Sequence, residues 1–389
     1  MFPSSHPSVF TLTRFGFATA LALVALAAPS LHAQFQGLGF LAGEPYSEAY
    51  AISGDGSTVV GTSFDENGDT RSFRWTAATG MVALPPINPE WTSGDAYAVS
   101  YDGSVIVGQD YPLDEDVIDG GTRQGYRWTA GATVFDPGTT VGTPYAPGAT
   151  YSWGESTGVS ADGSVVIGAE GGLGIPFRWT AAGGTVHLIP GPGEATGISA
   201  DGSVVVGFEY GGTAFRWTEA DGAVPIEVPG ISLEPNAISA DGTTIVGNYD
   251  GDNAFAWTES GGIQFLDTLP GSTETHALAV SGDGRWAVGH AGEYYGEIAT
   301  LWDTTTGEVW DLNELFTTTF DFDLEGWTLR VATGISADGL TITGWGINPN
   351  GDAEAWIAHL GAIPEPATFA ALAGAGALAL AAGRRRRRA

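Results

Sequence analysis

The chain has 389 residues, a formal net charge of −31 at pH 7, and neither cysteine nor lysine. The lack of cysteine excludes disulfides, thiolate metal sites and cysteine nucleophiles. Between residues 34 and 360 there are 8 arginines against 44 aspartates and glutamates, so this body should repel nucleic acid and anionic membranes.

The first 33 residues have the pattern of a secretory signal peptide. Arg14 supplies a positive charge, residues 15–28 form an apolar core, and residues 31–33 offer a small-residue cleavage site before Gln34. Export through the Sec translocon is therefore expected. An uncleaved N-terminal anchor is the alternative.

One unit, Ser-x-Asp-Gly-x4-Gly followed by a tryptophan, recurs seven times along the chain. Asp-Gly between two apolar runs predicts a hairpin turn with positive φ at both residues. The β-branched run after the turn predicts a strand covered on both faces, and Phe-x-Trp places two rings on one face. The repeated aspartates and tryptophans are Asp55, Asp102, Asp162, Asp201, Asp241, Asp283 and Asp338, and Trp75, Trp128, Trp179, Trp217, Trp257, Trp302 and Trp356.

Each unit of about 40 residues predicts four short antiparallel strands, which is the size of a propeller blade. We therefore predict an all-β fold, a single seven-bladed β-propeller at residues 34–360, with the tryptophans packed between blades as the spine of the core. Residues 34–41 match the closing strand of a unit, but no earlier strands precede them. The seventh unit lacks that strand, so the N-terminal strand should complete the last blade and remove an open edge.

Some units depart from the pattern, since Thr300 and Glu354 stand where the first five units carry Phe or Tyr.

The serial Ala-Ile-Ser-x-Asp-Gly, Val-Val-Gly and Phe-Arg-Trp-Thr units end in Asp-Leu-Asn, Gly-Trp-x-Leu and Thr-Gly-Ile-Ser. Together they resemble the extracellular HAF-repeat family over about residues 35–360. The resemblance implies an extracellular repeat protein, and the family carries no established catalytic residues to transfer.

Residues 361–389 contain three elements in order, namely a Pro-Glu-Pro motif, a charge-free run at 367–382 and an arginine tail. As a membrane helix the run would span about 24 Å. The three elements resemble the PEP-CTERM sorting signal of Gram-negative bacteria. The resemblance implies recognition by an exosortase, transient inner-membrane anchoring, removal of the tail and delivery to the cell surface or the exopolysaccharide matrix; a plain C-terminal anchor is the alternative. The sorting residues are Pro364, Glu365, Pro366, Arg384, Arg385, Arg386, Arg387 and Arg388.

Candidate sites are weak. Asp65, Asn67 and Asp69 alternate around a glycine and form a Ca²⁺ candidate, although further ligands are not identifiable and a solvated acidic loop is the default. No nucleophile–base pair or phosphate-binding glycine loop is visible. The histidines of the body are dispersed over different units without metal-ligand spacing: His187, His276, His290 and His359.

Two functional hypotheses follow. The first is a monomeric, non-catalytic surface protein, a structural or adhesive scaffold of the extracellular matrix, without a cofactor unless the Ca²⁺ candidate binds. The second is a lectin-like, glycan-binding propeller that contacts exopolysaccharide through the loop aromatics Tyr145, Tyr151, Trp153, Tyr294 and Tyr295. A glycoside hydrolase, the least favoured alternative, would need a pair of acids about 5–9 Å apart in the central funnel.

Overall fold

The computed structural model describes residues 34–91, 93–112, 123–129, 154–171, 174–293 and 296–361. These residues form seven antiparallel sheets, which confirms the predicted all-β, seven-bladed propeller with four-stranded blades. In blade 2 the described residues supply three strands.

In blades 1 to 6 the strands run in chain order from the inside to the outside of the blade, whereas the outermost strand of blade 7 is β1. Blade 1 contains β2 (Tyr46–Ile52), β3 (Thr58–Phe64), β4 (Thr70–Thr76) and β5 (Gly80–Ala83). Blade 2 contains β6 (Ser93–Val99), β7 (Val105–Tyr111) and β8 (Gln124–Thr129). Blade 3 contains β9 (Gly154–Val159), β10 (Val165–Glu170), β11 (Ile175–Thr180) and β12 (Gly184–His187).

Blade 4 contains β13 (Gly193–Ile198), β14 (Val204–Glu209), β15 (Thr213–Thr218) and β16 (Gly222–Ile226). Blade 5 contains β17 (Leu233–Ile238), β18 (Thr244–Tyr249), β19 (Asn253–Thr258) and β20 (Gly262–Phe265). Blade 6 contains β21 (Thr275–Val280), β22 (Trp286–Ala291), β23 (Ile298–Asp303) and β24 (Val309–Asp311). A short helix, α1 (Leu312–Thr318), leads to blade 7, which contains β25 (Thr328–Ile335), β26 (Thr341–Ile347), β27 (Ala353–His359) and β1 (Gln34–Gly37).

The first strand of each blade lies innermost, and each of these strands contacts the innermost strands of both neighbouring blades. Together they form the wall of a central channel, as in other propellers.

The ring closes through its N-terminus. β1 pairs antiparallel with β27, from Gln34 opposite His359 to Gly37 opposite Trp356. Beyond the strand, Leu38 and Leu41 are buried against residues of blades 1 and 7. The predicted N-terminal closing strand is therefore confirmed, and β27 has a partner on each side.

Buried side chains of the described residues form seven clusters, one in each gap between neighbouring blades. In blade 4, Val204 and Val206 belong to the cluster shared with blade 5, whereas Val205 belongs to the cluster shared with blade 3. Because successive strand residues point to opposite faces, adjacent valines serve both neighbours. The predicted two-sided burial of this strand is confirmed.

A glycine follows the β-branched run because a side chain there would collide with the innermost strand. A Cβ on Gly207 would overlap the carbonyl oxygen of Glu194. At this point the register between β13 and β14 shifts, which leaves Thr196 as an unpaired bulge residue. The same overlap with the innermost strand occurs at the equivalent positions of the other blades: Gly61, Gly108, Gly168, Gly247, Gly289 and Gly344.

The Ser-x-Asp-Gly turns differ from the prediction. Gly202 has φ +71°, but the repeated aspartates are not among the described non-glycine residues with positive φ. The reason is the length of the loop: Ser199 pairs with Val204, so four residues connect the strands, and Gly202 N–H donates to Ser199 O at 2.9 Å. A turn of this length is built on ordinary helical-region residues followed by one left-handed glycine.

The aspartate of the turn acts as a hydrogen-bond acceptor. Asp201 Oδ1 accepts from Ser199 Oγ at 2.7 Å and from Ser203 N–H at 2.9 Å, while Ser199 Oγ accepts from Val204 N–H at 3.0 Å. Bonds from Ser203 and Ser199 lower the pKa of Asp201. The repeated Ser and Asp are therefore explained by the backbone groups that they satisfy.

The seven turns are joined by a closed ring of backbone hydrogen bonds at one end of the channel. The N–H of Ala161 donates to Ala200 O, and that of Ala200 donates to Ala240 O, both at 2.9 Å. The series continues around the ring and closes where Ala337 N–H donates to Gly54 O at 2.9 Å. We call this end of the molecule the turn face.

The aromatic core departs from the predicted spine of seven tryptophans. In blade 7, Trp356 lies opposite Gly344, the position that Phe73 takes opposite Gly61 in blade 1. The expectation that Glu354 interrupts the aromatic position is therefore wrong, because Trp356 fills that position and Ala358 takes the place of the usual tryptophan. The other members of the inner column are Tyr126, Phe177, Phe215, Phe255 and Thr300, all buried.

Of the predicted tryptophans, Trp75, Trp217, Trp302 and Trp356 are buried, whereas Trp128, Trp179 and Trp257 are only partly buried. The Phe/Tyr column is the deeper one, since its rings lie opposite the glycines of the bulge. The three partly buried tryptophans pack against the outer side of the clusters between blades. These residues are Trp128, Trp179 and Trp257.

Within the described residues, no helix is both long and apolar enough to cross a bilayer. The predicted membrane helix at 367–382 lies outside those residues, as do the signal segment 1–33 and the sorting residues from Pro364 to Arg388.

Candidate functional site

The innermost strands begin at the end of the channel opposite to the turn face, which we call the mouth face. Each innermost strand has one position that lies two residues before the bulge residue. The same position lies seven residues before the turn aspartate. In six blades this residue is ionisable. We call this set the mouth ring: Glu48, Asp95, Glu155, Glu194, Glu234 and His276.

The alternation of the strand explains why ionisable residues are tolerated there. Ser47 and Ala49 of β2 are fully buried, and Ala49 lies in the cluster between blades 7 and 1. Glu48, between them, points to the other side of the strand and is only partly buried. The innermost strands therefore pack through small residues and present their charged residues at the mouth.

Asp95 is the most enclosed carboxylate of the mouth ring, with 7% of its surface exposed. Its Oδ2 accepts from Gln109 Nε2 at 3.2 Å and from the hydroxyls of Tyr97 and Tyr111 at 3.4 Å. Gln109 Nε2 also donates to the Tyr97 hydroxyl at 2.6 Å. We call these four residues the Asp95 cluster. The Oε1 of Gln109 is buried without a hydrogen-bond partner, so the cluster retains an unused acceptor.

One tyrosine of this cluster, Tyr97, stacks on a ring of the neighbouring blade. Tyr50 and Tyr97, the bulge residues of blades 1 and 2, stack with their centroids 5.8 Å apart and their planes inclined by 28°. Burial, together with the charges of Glu48 and Asp95, raises the pKa of Tyr50. Both phenols are therefore neutral hydrogen-bond donors at physiological pH.

Carboxylates of successive blades influence one another. Burial and then the charge of Glu194 raise the pKa of Glu155 to about 7, against the opposing effect of Arg123. Burial and the charge of Asp95 raise the pKa of Glu48. Glu194 itself accepts a hydrogen bond from the Tyr210 hydroxyl at 3.0 Å. Near neutral pH the carboxyl group of Glu155 can therefore hold a proton and donate a hydrogen bond.

The bulge residues form three kinds of junction, since the bulge residue of blade 6 is the apolar Leu278. Thr157, Thr196 and Asn236 donate to backbone carbonyls of the next innermost strand at 2.5, 2.7 and 2.9 Å, and Thr333 donates to Ala49 O at 2.8 Å. At the equivalent positions of blades 1 and 2 these small polar side chains are replaced by the stacked tyrosines. The two tyrosines stand in the blades that meet at the Asp95 cluster.

The mouth ring was not among the sites predicted from the sequence. Its members are separated by 39 to 60 residues and have no local motif, since the shared feature is an ionisable residue seven positions before six of the seven repeated aspartates. That spacing was present in the sequence as a usable signal. The seven turn aspartates, by contrast, lie at the turn face and are occupied with their own loops.

The Ca²⁺ candidate forms a turn. Asp65 Oδ1 accepts from the N–H groups of Asn67 and Asp69 at 2.8 and 3.1 Å. In blade 7 the uncharged Asn348 makes the same pair of bonds to Asn350 and Asp352. The loop therefore has a complete explanation without an ion, and Ca²⁺ binding by Asp65, Asn67 and Asp69 stays a prediction.

The histidines are less dispersed than expected. His276 and His290 lie on paired strands of blade 6, and their rings stack with centroids 4.7 Å apart. His187 bonds to Glu170 at 2.7 Å and His359 to Thr341 at 3.1 Å, each in a separate blade. The predicted glycan-binding aromatics Tyr145, Tyr151, Trp153, Tyr294 and Tyr295 lie outside the described residues.

No protein-family model matches this chain, and a search of curated proteins also gives no match. What the fold and the residues define is a β-propeller with an acidic, tyrosine-bordered mouth.

Proposed function

We propose that this chain is an exported, non-catalytic surface propeller that adheres to polysaccharide through its mouth ring. The observation that carries the proposal is the Asp95 cluster beside the stacked Tyr50 and Tyr97. Aromatic rings present an apolar face with a polar tip, and a few fixed polar groups orient a bound molecule. A sugar ring has matching apolar faces and hydroxyl edges.

The charge of the mouth limits the class of polysaccharide. Five of its six ionisable ring positions are carboxylates, and the whole chain carries −31. Anionic polymers would be repelled by this field, whereas neutral sugars or amino sugars would not. The preferred ligand is therefore a neutral or amino-sugar polysaccharide of the extracellular matrix.

The export half of the proposal is supported by the two ends of the sequence. Residues 1–33 have signal-peptide character, and the Pro-Glu-Pro motif, apolar run and arginine tail resemble an exosortase sorting signal. The serial repeats resemble the extracellular HAF-repeat family. A protein delivered to the cell surface by this route would meet exopolysaccharide there, which agrees with an adhesive role.

The binding half is tested with the purified protein and immobilised neutral, amino-sugar and acidic polysaccharides. Tyr97→Ala and Asp95→Asn should each weaken binding to the preferred polymer by about tenfold, a typical loss for a central contact. Tyr101→Ala is the matched control, because Tyr101 belongs to a turn at the opposite end of the channel and is 50% exposed. Equal loss in the control, or no binding to any polymer, would reject the proposal in favour of a purely structural scaffold.

The sorting half is tested in the producing bacterium. Deleting residues 364–389 should leave the protein in the periplasm, because the membrane anchor and the motif read by the exosortase are both removed. Cell fractionation and surface labelling report the outcome. Normal surface display of the shortened protein would contradict the sorting role and leave the binding proposal intact.

A glycoside hydrolase is the second candidate, and one observation favours it. Glu155, with its pKa raised to about 7, neighbours Glu194 on the next innermost strand. A carboxyl group with a raised pKa beside a second carboxyl group is the arrangement of acid and base in most glycosidases. Release of reducing ends from the bound polysaccharide, abolished in Glu155→Gln, would establish this activity; binding without release would favour the adhesive function.

A further inference from the structure

Three potential metal ligands from two blades meet at the mouth face. Asp252 lies in the loop between β18 and β19 of blade 5, Glu274 directly precedes β21 of blade 6, and His276 is the mouth-ring residue of β21. Each offers a ligand atom, and these atoms all lie within 4.8 Å of one another. The backbone fixes the arrangement, because Thr275 N–H donates to Asp252 O at 2.8 Å.

We propose that Asp252, Glu274 and His276 bind a divalent transition-metal ion of the Zn²⁺ type, which joins blades 5 and 6. The proposal does not depend on polysaccharide binding. It concerns a different part of the mouth face, formed by the blades that do not contribute to the Asp95 cluster.

The charges of the group favour a cation. Among the described residues, the ion pairs involve Glu44, Glu170 and Asp303, and none involves Asp252 or Glu274. Two carboxylates held this close repel each other unless a positive charge lies between them. A divalent ion neutralises both and accepts the imidazole nitrogen as a third ligand.

The surroundings contain buried polar atoms that lack partners. Asn248, of which 8% is exposed, lies on the face of β18 that packs against blade 6, and its Oδ1 has no hydrogen-bond partner. Nδ1 of His290, whose ring stacks on His276, also lacks one. A metal-bound water could satisfy such groups.

The junction between blades 4 and 5 provides a comparison, because it lacks these three ligands. The positions of Asp252, Glu274 and His276 are taken there by Gly212, Ser232 and Glu234. At that junction Ser232 Oγ donates directly to Gly212 O of the neighbouring blade at 3.2 Å. The junction between blades 5 and 6 thus differs from its neighbour at three spatially adjacent positions, and all three carry potential metal ligands. An acidic surface without a metal site would not need these three residues to lie together.

The ligand types select the class of ion. Imidazole nitrogen with two carboxylates suits Zn²⁺ and related ions, whereas Ca²⁺ takes six to eight oxygen ligands. With three protein ligands, a tetrahedral Zn²⁺ keeps one position for water or for an oxygen of a bound molecule. We therefore expect an open site with moderate affinity.

The test uses the full chain purified without a polyhistidine tag and freed of metal with a chelator. Titration calorimetry with Zn²⁺ should give one site per chain, and Co²⁺ should give visible absorption bands typical of four or five ligands. Bound Zn²⁺ should also raise the melting temperature by about 5 °C at saturating concentration. Ca²⁺ should not compete at equal concentration.

The variants Asp252→Asn and His276→Ala should each weaken Zn²⁺ binding by about tenfold or more. Asp252→Asn guards against misfolding, since Asp252 is exposed. His187→Ala is the matched control, because His187 also lies beside a carboxylate, Glu170, but in another blade. Retained Zn²⁺ affinity in Asp252→Asn and His276→Ala, loss in the control alone, or binding of several ions without a defined stoichiometry would overturn the proposal.

Discussion

The two ends of the channel contrast sharply although one backbone pattern builds both. At the turn face all seven blades use the same Ser and Asp side chains, and the turns join in a closed ring of backbone hydrogen bonds. At the mouth face the equivalent strand positions carry Glu, Asp, His or Val. The turn face therefore serves the fold, whereas the mouth face varies from blade to blade and offers chemistry.

This contrast shows where to look for function in a repeat protein. A residue found in every repeat satisfies a requirement shared by every repeat, as Ser199 does for the turn backbone. A residue that replaces the repeated type answers a local need. Tyr50 and Tyr97 replace hydrogen-bonding bulge residues, and Asp252 and His276 replace a glycine and a glutamate.

The largest expected effect comes from opening the ring on which both faces depend. Deleting residues 34–42 removes β1 and the buried Leu38 and Leu41, whose burial contributes about 2 kcal/mol each, and leaves the edge of β27 unpaired. We expect the melting temperature to fall by about 10 °C or more in a thermal scan. Gln34→Ala, an exposed position of the same strand, should change little. An unchanged melt after the deletion would show that the seven blades hold together without β1.

The next largest effect is expected from a substitution of the glycine that faces the bulge. Gly207→Ala places a Cβ against the carbonyl oxygen of Glu194, so the strands must separate, at a cost of about 3 kcal/mol. Gly211→Ala in the following loop meets no atom within 4 Å and should cost less than about 0.5 kcal/mol. Urea denaturation measures both variants. Comparable losses would mean that the bulge is not set by the glycine.

Much of the fold could be predicted because the repeat carries it. The turn residues, the two-sided valine strands and the unpaired first strand each have a local pattern, and together they define seven blades and their closure. The details of the turn were missed, because an Asp-Gly pair alone does not reveal the length of the loop. The register of β27 was missed because Trp356 was aligned with the repeated tryptophans, whereas it lies opposite Gly344, in the position that Phe73 takes opposite Gly61.

The candidate sites could not be predicted in the same way. Asp252 and His276 are 24 positions apart on different blades, and only the packing of one blade on the next brings them together. The mouth ring has a fixed spacing from the turn aspartate, but nothing local distinguishes Glu194 from an exposed surface glutamate. Contacts between blades depend on the closed ring, so they follow from the fold and not from any single unit.

At the turn face, the hydroxyl of Ser199 should contribute more than that of Ser203. Ser199→Ala leaves the N–H of Val204 without its side-chain acceptor in a buried position, which should cost about 1–2 kcal/mol. Ser203→Ala loses only an exposed bond to Asp201 and should cost less than about 0.5 kcal/mol. Chemical denaturation of the two variants compares them directly. A larger loss for Ser203→Ala would contradict the assigned roles.

The smallest expected effect distinguishes the two faces by the sign of their pH dependence. Glu155 at the mouth has its pKa raised from 4.5 to about 7, so between these values the folded protein holds a proton that the unfolded chain releases. Its stabilising contribution is complete below pH 4.5 and is lost as the pH rises through 7. Asp201 at the turn has its pKa lowered below 3.8, so its contribution is present above that value and is lost as the pH falls.

Glu155→Gln should therefore gain stability relative to the unmodified protein as the pH is raised from 4.5 to 8. Asp201→Asn should show the opposite trend, with a cost at pH 7 that disappears as the pH falls below 3.8. Unfolding free energies measured in urea from pH 3 to pH 8 give both curves. Differences that do not vary with pH in either variant would mean that the mouth carboxylate and the turn carboxylate have ordinary pKa values, and the electrostatic contrast between the two faces would be lost.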